Sequence, residues 1–270
     1  MAAGTAPAHT RALAISPSGS ASGMPAVGYI GGKALLPADT VVPTIGNRFE
    51  PDLRDTLSHI ATFSSSALSN IAPRLPEGNI VLLFAVQAQP WTYAYPDGSG
   101  KLITDDMDGM QDGHRVIFVP KGADRIEHEG SRTFPQRDLV IVDHLTHVAI
   151  DGSDESDEAA EILNQRVREE TFRELYPALT VEGPVYAVQN PMEPSLPFTA
   201  KIVRGIDTEA ADWVCIAQVE SLDTYGPGKE QGVLDGSWMW GDVGMLYFWI
   251  TKADLAEARF DRTICFLQCH

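Results

Sequence analysis

Trp213-Val214-Cys215-Ile216-Ala217-Gln218-Val219 is one of two near copies of a single phrase in this chain. The other copy is Leu57-Ser58-His59-Ile60-Ala61-Thr62-Phe63. Each is an apolar run followed by a turn-rich gap. Each gap ends at a glycine that opens a second apolar run, Gly78 to Phe84 in the first case and Gly244 to Ile250 in the second. Short apolar runs bounded by turn signals suit strands covered on both faces. The repeated order of strand, gap, glycine and strand predicts a duplicated β architecture, since an internal repeat redirects the reading of the whole fold.

Working outward, Arg115 to Val119, a segment within Asp138–Ile150, and Thr263 to Cys269 read as further strands. Ser64 to Ala72 reads as a turn or one helical turn before Pro73. The clearest helix runs from Ala159 to Tyr176. There Ile162, Leu163, Val167, Phe172, Leu175 and Tyr176 fall on one stripe at helical spacing. The acidic residues of 151–158 complement its N-terminus, and Pro177 ends it. Thr251 to Ala258 reads as one short helix. Tyr29 to Pro37 enters with a glycine pair, Gly31-Gly32, and Pro37 and Pro43 limit strand pairing, which places this segment across the surface of the first lobe. The expected fold is mainly β with an α+β tendency. It is a β-roll or sandwich-like arrangement of two pseudo-repeated lobes with a few helices, the longest near 157–176. Residues 1–25, rich in Ala, Ser, Gly and Pro, read as a poorly ordered tail. Residues 26–270 form one domain, with lobes at about 26–150 and 180–270 joined by a helical segment, 151–179.

Composition narrows the function classes. A chain of 270 residues with 44% hydrophobic content can bury a sizeable core. Its 37 acidic residues against 20 basic ones give a formal charge of −17, with no basic cluster to offset it. Such a surface repels phosphate backbones and anionic membranes, so neither nucleic acid nor membrane is an expected partner. It attracts basic proteins and cationic ligands. Three cysteines, Cys215, Cys265 and Cys269, give no disulfide framework and fit a reducing, cytoplasmic compartment. The first residues carry no basic-then-apolar signal pattern, and no apolar run reaches the ~20 residues of a membrane helix.

The C-terminal third carries a denser signature. It reads Trp238-Met239-Trp240-Gly241-Asp242-Val243-Gly244, continues through Tyr247-Phe248-Trp249-Ile250 and Lys252-Ala253-Asp254-Leu255, and closes on Phe266-Leu267-Gln268-Cys269. With the Gln-containing strand at Gln218 and the entry Ile30-Gly31-Gly32 before Leu36-Pro37, this resembles the YwqG-like family of bacterial domains of unknown function. The likeness spans most of 28–270 and is concentrated from about 213 onward. This chain has Val42-Pro43 where relatives often have Trp-Pro, Thr62 where many have Gln, and no cysteine pair ahead of the first repeat. The resemblance implies a mainly-β roll and a bacterial origin, and it implies no activity.

Trp238, Trp240, Asp242, Tyr247 and Trp249 form the densest aromatic group. Period-two alternation puts Met245, Tyr247 and Trp249 on one strand face and Leu246, Phe248 and Ile250 on the other. Trp and Tyr combine rigid contact area with a polar tip, which suits a small molecule or a protein surface. The same residues also suit a self-packed turn in which Asp242 caps backbone amides. Gln218 and Gln268 sit on apolar strands and must find partners, whether a ligand or internal bracing. The expected ligand-binding set is therefore Trp238, Trp240, Trp249, Gln218 and Gln268. The candidate acid–base groups are Asp242, Tyr247 and His59.

No metal or cofactor is expected. Asp105, Asp106, Asp108 and Asp112 fail the calcium-loop pattern, because the closing bidentate Glu is missing. His144 and His147 point to opposite faces of a strand. Cys265 and Cys269 lie ~13 Å apart at strand rise. No nucleophile elbow, phosphate loop or dinucleotide fingerprint is present. Four readings remain open: a ligand- or partner-binding protein with an aromatic cleft, a metal-free isomerase, cyclase or hydrolase acting on a small molecule, an immunity- or antitoxin-like inhibitor of a basic protein, and a purely structural scaffold.

Overall fold

Both copies of the repeated phrase are strands, and both lead into the strand the glycine opens. The first pair is β6 (Ser58–Ser64) and β7 (Gly78–Phe84), and the second is β13 (Trp213–Glu220) and β14 (Met245–Thr251). The structure, a computed structural model, describes residues 9–15, 24–46, 54–85, 110–111, 113–145, 177–183, 185, 187–189, 191–221, 240 and 244–269. The fold is mainly β with few helices. Nine of its strands join these in two groups. One group is β1 (His9–Ile15), β2 (Gly28–Ile30), β8 (Met110–Gln111), β9 (His114–Pro120), β11 (Arg137–Leu145), β12 (Pro177–Thr180) and β15 (Ile264–Gln268). It completes an antiparallel 11-stranded sheet in the order β8-β15-β14-β13-β12-β1-β11-β2-β6-β7-β9. The other is a separate antiparallel pair, β3 (Ala34–Pro37) with β10 (Arg125–His128). A further small pair joins β4 (Thr44–Gly46) to β5 (Arg54–Thr56).

The order forces the sheet to curl. β8 and β9 stand at its two ends, yet Gln111 and His114 are neighbours in the chain. A flat sheet of this width would put them ~48 Å apart at the usual strand spacing, whereas the chain between them reaches only ~10 Å. The sheet is therefore nearly closed. Its two ends meet where the His114 ring Nε2 donates to the Thr263 carbonyl at 3.0 Å and the ring packs edge-on against Phe248.

Closure creates an inner face that becomes the core. Ile60, Phe63, Ile80, Leu82, Phe84 and Val116 from one half meet Ile216, Val219, Leu246, Phe248, Ile250 and Leu267 from the other. Phe84 meets Trp240 edge-to-face at 5.5 Å, and Phe118 stacks on Phe260 at 5.7 Å. The pairing register shifts between His59 and Ala61 in the first half and between Cys215 and Ala217 in the second. These are matching one-residue bulges, which let Ile60-Ala61 and Ile216-Ala217 each present two consecutive residues to the same core.

The duplication extends to the ends of the strands. Ser221 Oγ donates to the Gly244 carbonyl at 2.7 Å and accepts from Trp240 N at 2.9 Å. Ser65 Oγ lies 3.0 Å from the Gly78 carbonyl and 2.5 Å from that of Pro76, and accepts from Gly78 N at 2.9 Å. Gly78 and Gly244 are glycines for one shared reason. A Cβ at Gly78 would sit 2.5 Å from the Val119 carbonyl oxygen, and one at Gly244 would sit 2.3 Å from that of Gln268.

Each outer face has its own cover. Leu57, Val81, Leu83 and Val119 lie under Ala34 and Leu36 of β3. On the other half, helix α1 (Leu196–Arg204) packs Leu196 and Ala200 over the outer side chains of β13–β15. α1 starts with Pro197 in its first turn and ends at Gly205, whose left-handed backbone (φ 65°) caps the last carbonyls. Its apolar face is only two turns long, and sequence periodicity alone does not single it out. The short helix expected at 251–258 is α2 (Lys252–Ala256).

Three expectations change. Residues 9–15, read as part of a poorly ordered tail, form β1 in the middle of the sheet with Ala12, Leu13 and Ala14 fully buried. Successive side chains of a strand point to opposite faces, so the burial of all three shows both faces of the sheet covered at this point. Tyr29–Pro37 does not merely cross the surface: Gly28–Ile30 pair inside the main sheet, and Ala34 and Leu36 are buried. The joining segment, read as helical from 151 to 179, is already strand β12 from Pro177 onward. The helix of 159–176 lies outside the described residues.

The matched serines yield a direct test. Ser221→Ala leaves the Trp240 amide without its buried acceptor and is expected to cost about 1–3 kcal/mol in denaturant unfolding. Ser65→Ala is expected to cost a similar amount. A loss at only one of the two positions would show that the hydroxyls are not equivalent braces.

Candidate functional site

The strand faces sort the candidate residues. Beyond the bulge, β13 turns Gln218 to the outer face, where it stands directly opposite Tyr247, which in turn stands opposite Phe266. Met245 stands opposite Gln268 on the same face. Trp213, Cys215, Met245, Tyr247, Trp249, Ile264 and Phe266 form one buried cluster there, closed by α1 and by Val185, Ala187 and Val188.

Two candidates hold that cover in place. The Tyr247 hydroxyl, fully buried, accepts from the Val188 amide at 3.2 Å. The Gln268 Oε1 accepts from the Gln189 amide at 3.2 Å. Their polar tips thus anchor a crossing strand of backbone, as buried polar groups on an apolar face must. Trp213 and Trp249 share the face and are also buried, and their indole N–H groups have no hydrogen-bond partner among the described residues.

Trp240 does not join them. It lies in the inner core against Phe84, its indole N–H donating to the Glu220 carbonyl at 3.2 Å. A wall of sheet backbone separates Trp240 from Tyr247 and Trp249, so these three do not line one cleft. Trp238 and Asp242, the other aromatic and the expected carboxylate, lie outside the described residues, as do Asp105, Asp106, Asp108, His147 and the acidic stretch 151–158.

His59 occupies in β6 the place that Cys215 occupies in β13, and Thr62 the place of Gln218. His59 is 2% exposed. Its Nδ1 lies 2.6 Å from the Gly31 carbonyl, which can only accept, so Nδ1 carries the proton. Nε2, 2.8 Å from Thr62 Oγ1, then accepts from the hydroxyl. Burial pushes the ring's pKa down to about 4, against backbone hydrogen bonds that pull the other way. Both nitrogens are committed and the ring is neutral. The carbonyl it holds comes from Gly31-Gly32, both in the left-handed region (φ 61° and 66°). A Cβ on Gly31 would lie 2.3 Å from the Pro135 carbonyl oxygen. The glycine pair thus aims a carbonyl at a buried histidine.

The Cys215 and Cys265 thiols are not nucleophiles. Burial drives Cys215 and Cys265 well above the usual thiol range, so both stay protonated at neutral pH. Among the described residues no three His, Cys, Asp or Glu side chains come together in a metal-binding group.

A charged knot escaped the sequence reading. The Asp254 side chain, 3% exposed, pairs with Arg259 Nε at 2.8 Å and Arg262 Nε at 3.1 Å. Thr251 Oγ1 donates to Asp254 Oδ2 at 2.7 Å and accepts from Asp254 N at 2.9 Å, capping α2. The visible signal was a Thr three residues before an Asp at a helix start, with two arginines a turn or two beyond. It reads as a brace between α2 and the turn before β15.

These features belong to one family. A family model described as a domain of unknown function, DUF1963, matches residues 29–269, and the chain belongs to that family. No curated protein matches the chain.

The buried histidine predicts a pH profile. An unfolded chain protonates His59 below about 6.5, whereas the folded one holds it neutral down to about 4. Proton uptake therefore favours unfolding in that window, and stability falls as pH drops from about 6.5 to about 4, by about 3 kcal/mol for this group. Denaturant titrations across this range check the slope against His59→Gln, in which this increment is absent. Tyr247→Phe is expected to raise amide exchange at Val188 locally and to cost about 1 kcal/mol. Unchanged exchange there would remove the hydroxyl as the anchor of the cover.

Proposed function

We propose that this protein is a binding module that meets a basic protein partner through its acidic surface. The observation that carries this reading is the commitment of the candidate side chains. His59 spends its ring nitrogens on the Gly31 carbonyl and the Thr62 hydroxyl, Tyr247 spends its hydroxyl on the Val188 amide, and Trp240, Tyr247 and Trp249 are buried on two faces of the sheet. Among the described residues, what remains for recognition is outer surface, and the chain as a whole carries −17. A net charge of this size steers oppositely charged partners and speeds their encounter. An immunity- or antitoxin-like inhibitor has these properties. A YwqG-like kinship, a bacterial origin and a cytoplasmic setting belong to the same reading. Among the described residues no helix is long and apolar enough to cross a membrane.

One observation favours a second reading, a small molecule bearing a hydrogen-bond acceptor. Trp213 and Trp249 place two unspent indole donors on the same covered face. Each unspent buried donor costs roughly 1–3 kcal/mol, which an acceptor would recover.

Native mass spectrometry after incubation with extract of the source cells separates the two. A bound basic protein in fixed stoichiometry, released as ionic strength rises, is the expected result. A retained mass of a few hundred daltons that disappears in Trp249→Phe would replace it with the small-molecule reading. Protein binding that is indifferent to salt would sink the charge argument.

A further inference from the structure

The most unusual placement in the sheet is that of β1. It pairs with β11 along its whole length, from His9 opposite Leu145 to Ile15 opposite Leu139. On its other side it meets β12 at Leu13 opposite Leu179 and Ala14 opposite Pro177. β11 and β12 make no ladder with each other, so β1 is the only strand joining the halves at this point in the order. Yet β1 lies outside the region that defines the family, 29–269. That region supplies both walls of the slot and none of its occupant.

The connection makes β1 separable. Ile15 faces Leu139 from one side, and Val27 donates to the Leu139 carbonyl from the other at 2.8 Å. The two ends of residues 16–26 therefore stand about two strand spacings apart, ~10 Å. A stretch of that length can span ~35 Å. The tether has more than enough chain for its task.

The slot is selective. Ala12, Leu13 and Ala14 are fully buried, whereas Arg11 is exposed. A small residue, a leucine and a small residue are read in sequence, with backbone hydrogen bonds available on both sides. Main-chain pairing for affinity and side-chain fit for choice are the terms by which a sheet accepts an added strand.

We propose that the space between β11 and β12 is a strand-accepting site, that β1 is its ligand in cis, and that the amino-terminal segment of a second copy of this chain fills it in trans. The second copy is the occupant because His9–Ile15 is the sequence whose fit is on view, and the exchanged arrangement keeps every pair. Its opponent is the effective concentration of the tethered strand, in the millimolar range for a connection of this length. Exchange between intact chains therefore belongs to concentrations approaching that range, and cutting the tether brings it down to dilute solution.

Two full-length variants test the trans site, both with Cys269→Ser. One carries Ala12→Cys and the other Val142→Cys, positions opposite each other in the β1–β11 ladder. Mixed near millimolar concentration under mild oxidation, they are expected to form a disulfide-linked heterodimer, at least tenfold less abundant after hundredfold dilution. No heterodimer at the high concentration overturns the trans site. A chain carrying both changes reports on the slot itself, by linking within one molecule at any concentration. If it does not, β1 is not seated there. The third arm uses the full chain with a protease site inserted in 16–23, folded and then cut. It is expected to exchange its amino-terminal piece for a fluorescent peptide of residues 9–15, one per molecule. The same peptide with Leu13→Asp is expected to bind about a hundredfold more weakly or worse, because a carboxylate replaces a fully buried leucine. Equal uptake of the two peptides would show non-specific sticking and overturn the proposal.

Discussion

A sheet whose first and last strands adjoin in the chain has to close, and most of this protein's architecture follows from that. Closure removes the long open edges that an extended sheet of this width would expose. It also turns one face of every long strand inward, where nothing but apolar packing is tolerated. Across the seam run the His114 ring on the Thr263 carbonyl, the stack of Phe118 on Phe260 and the short strand β8 laid against β15.

The duplication explains how the inner face fills without clash. Bulges at Ile60 and Ile216 bend both central strands at the same point, and two aromatic contacts, Phe84 with Trp240 and Phe118 with Phe260, cross the interior. The two outer faces have diverged. Where the first half carries a histidine bonded to a glycine carbonyl, the second carries a thiol in an apolar cluster under a helix. The covers differ as well, a β pair on one side and helix α1 with its preceding segment on the other. Divergence is freest on these outer faces, because the inner faces must fit each other.

The same constraint governs where function can reside. Residues that look like a binding cluster in sequence, such as Tyr247 and Trp249, are taken up by attaching a cover, and Trp240 is taken up by the core. The buried ionic knot at Asp254 and the buried His59 serve order in the same way. The recognition proposed for this protein therefore falls to the acidic exterior and to the slot that β1 fills.

The sequence by itself determined the mainly-β class, the positions of β6, β7, β9, β13, β14 and β15, and the internal repeat, because apolar runs and turn residues are local signals that the chain displays directly. It also carried the glycine pair at Gly31-Gly32 and the acidic balance. The tertiary structure alone decided that residues 9–15 are a central strand, that α1 covers the second outer face, and that Trp240 and Tyr247 lie on opposite sides of one wall. The physical reason is the same in each case. A single seven-residue strand or two-turn helix has no stable pattern of its own, and the side a residue faces past a bulge depends on pairing with strands far away in the chain.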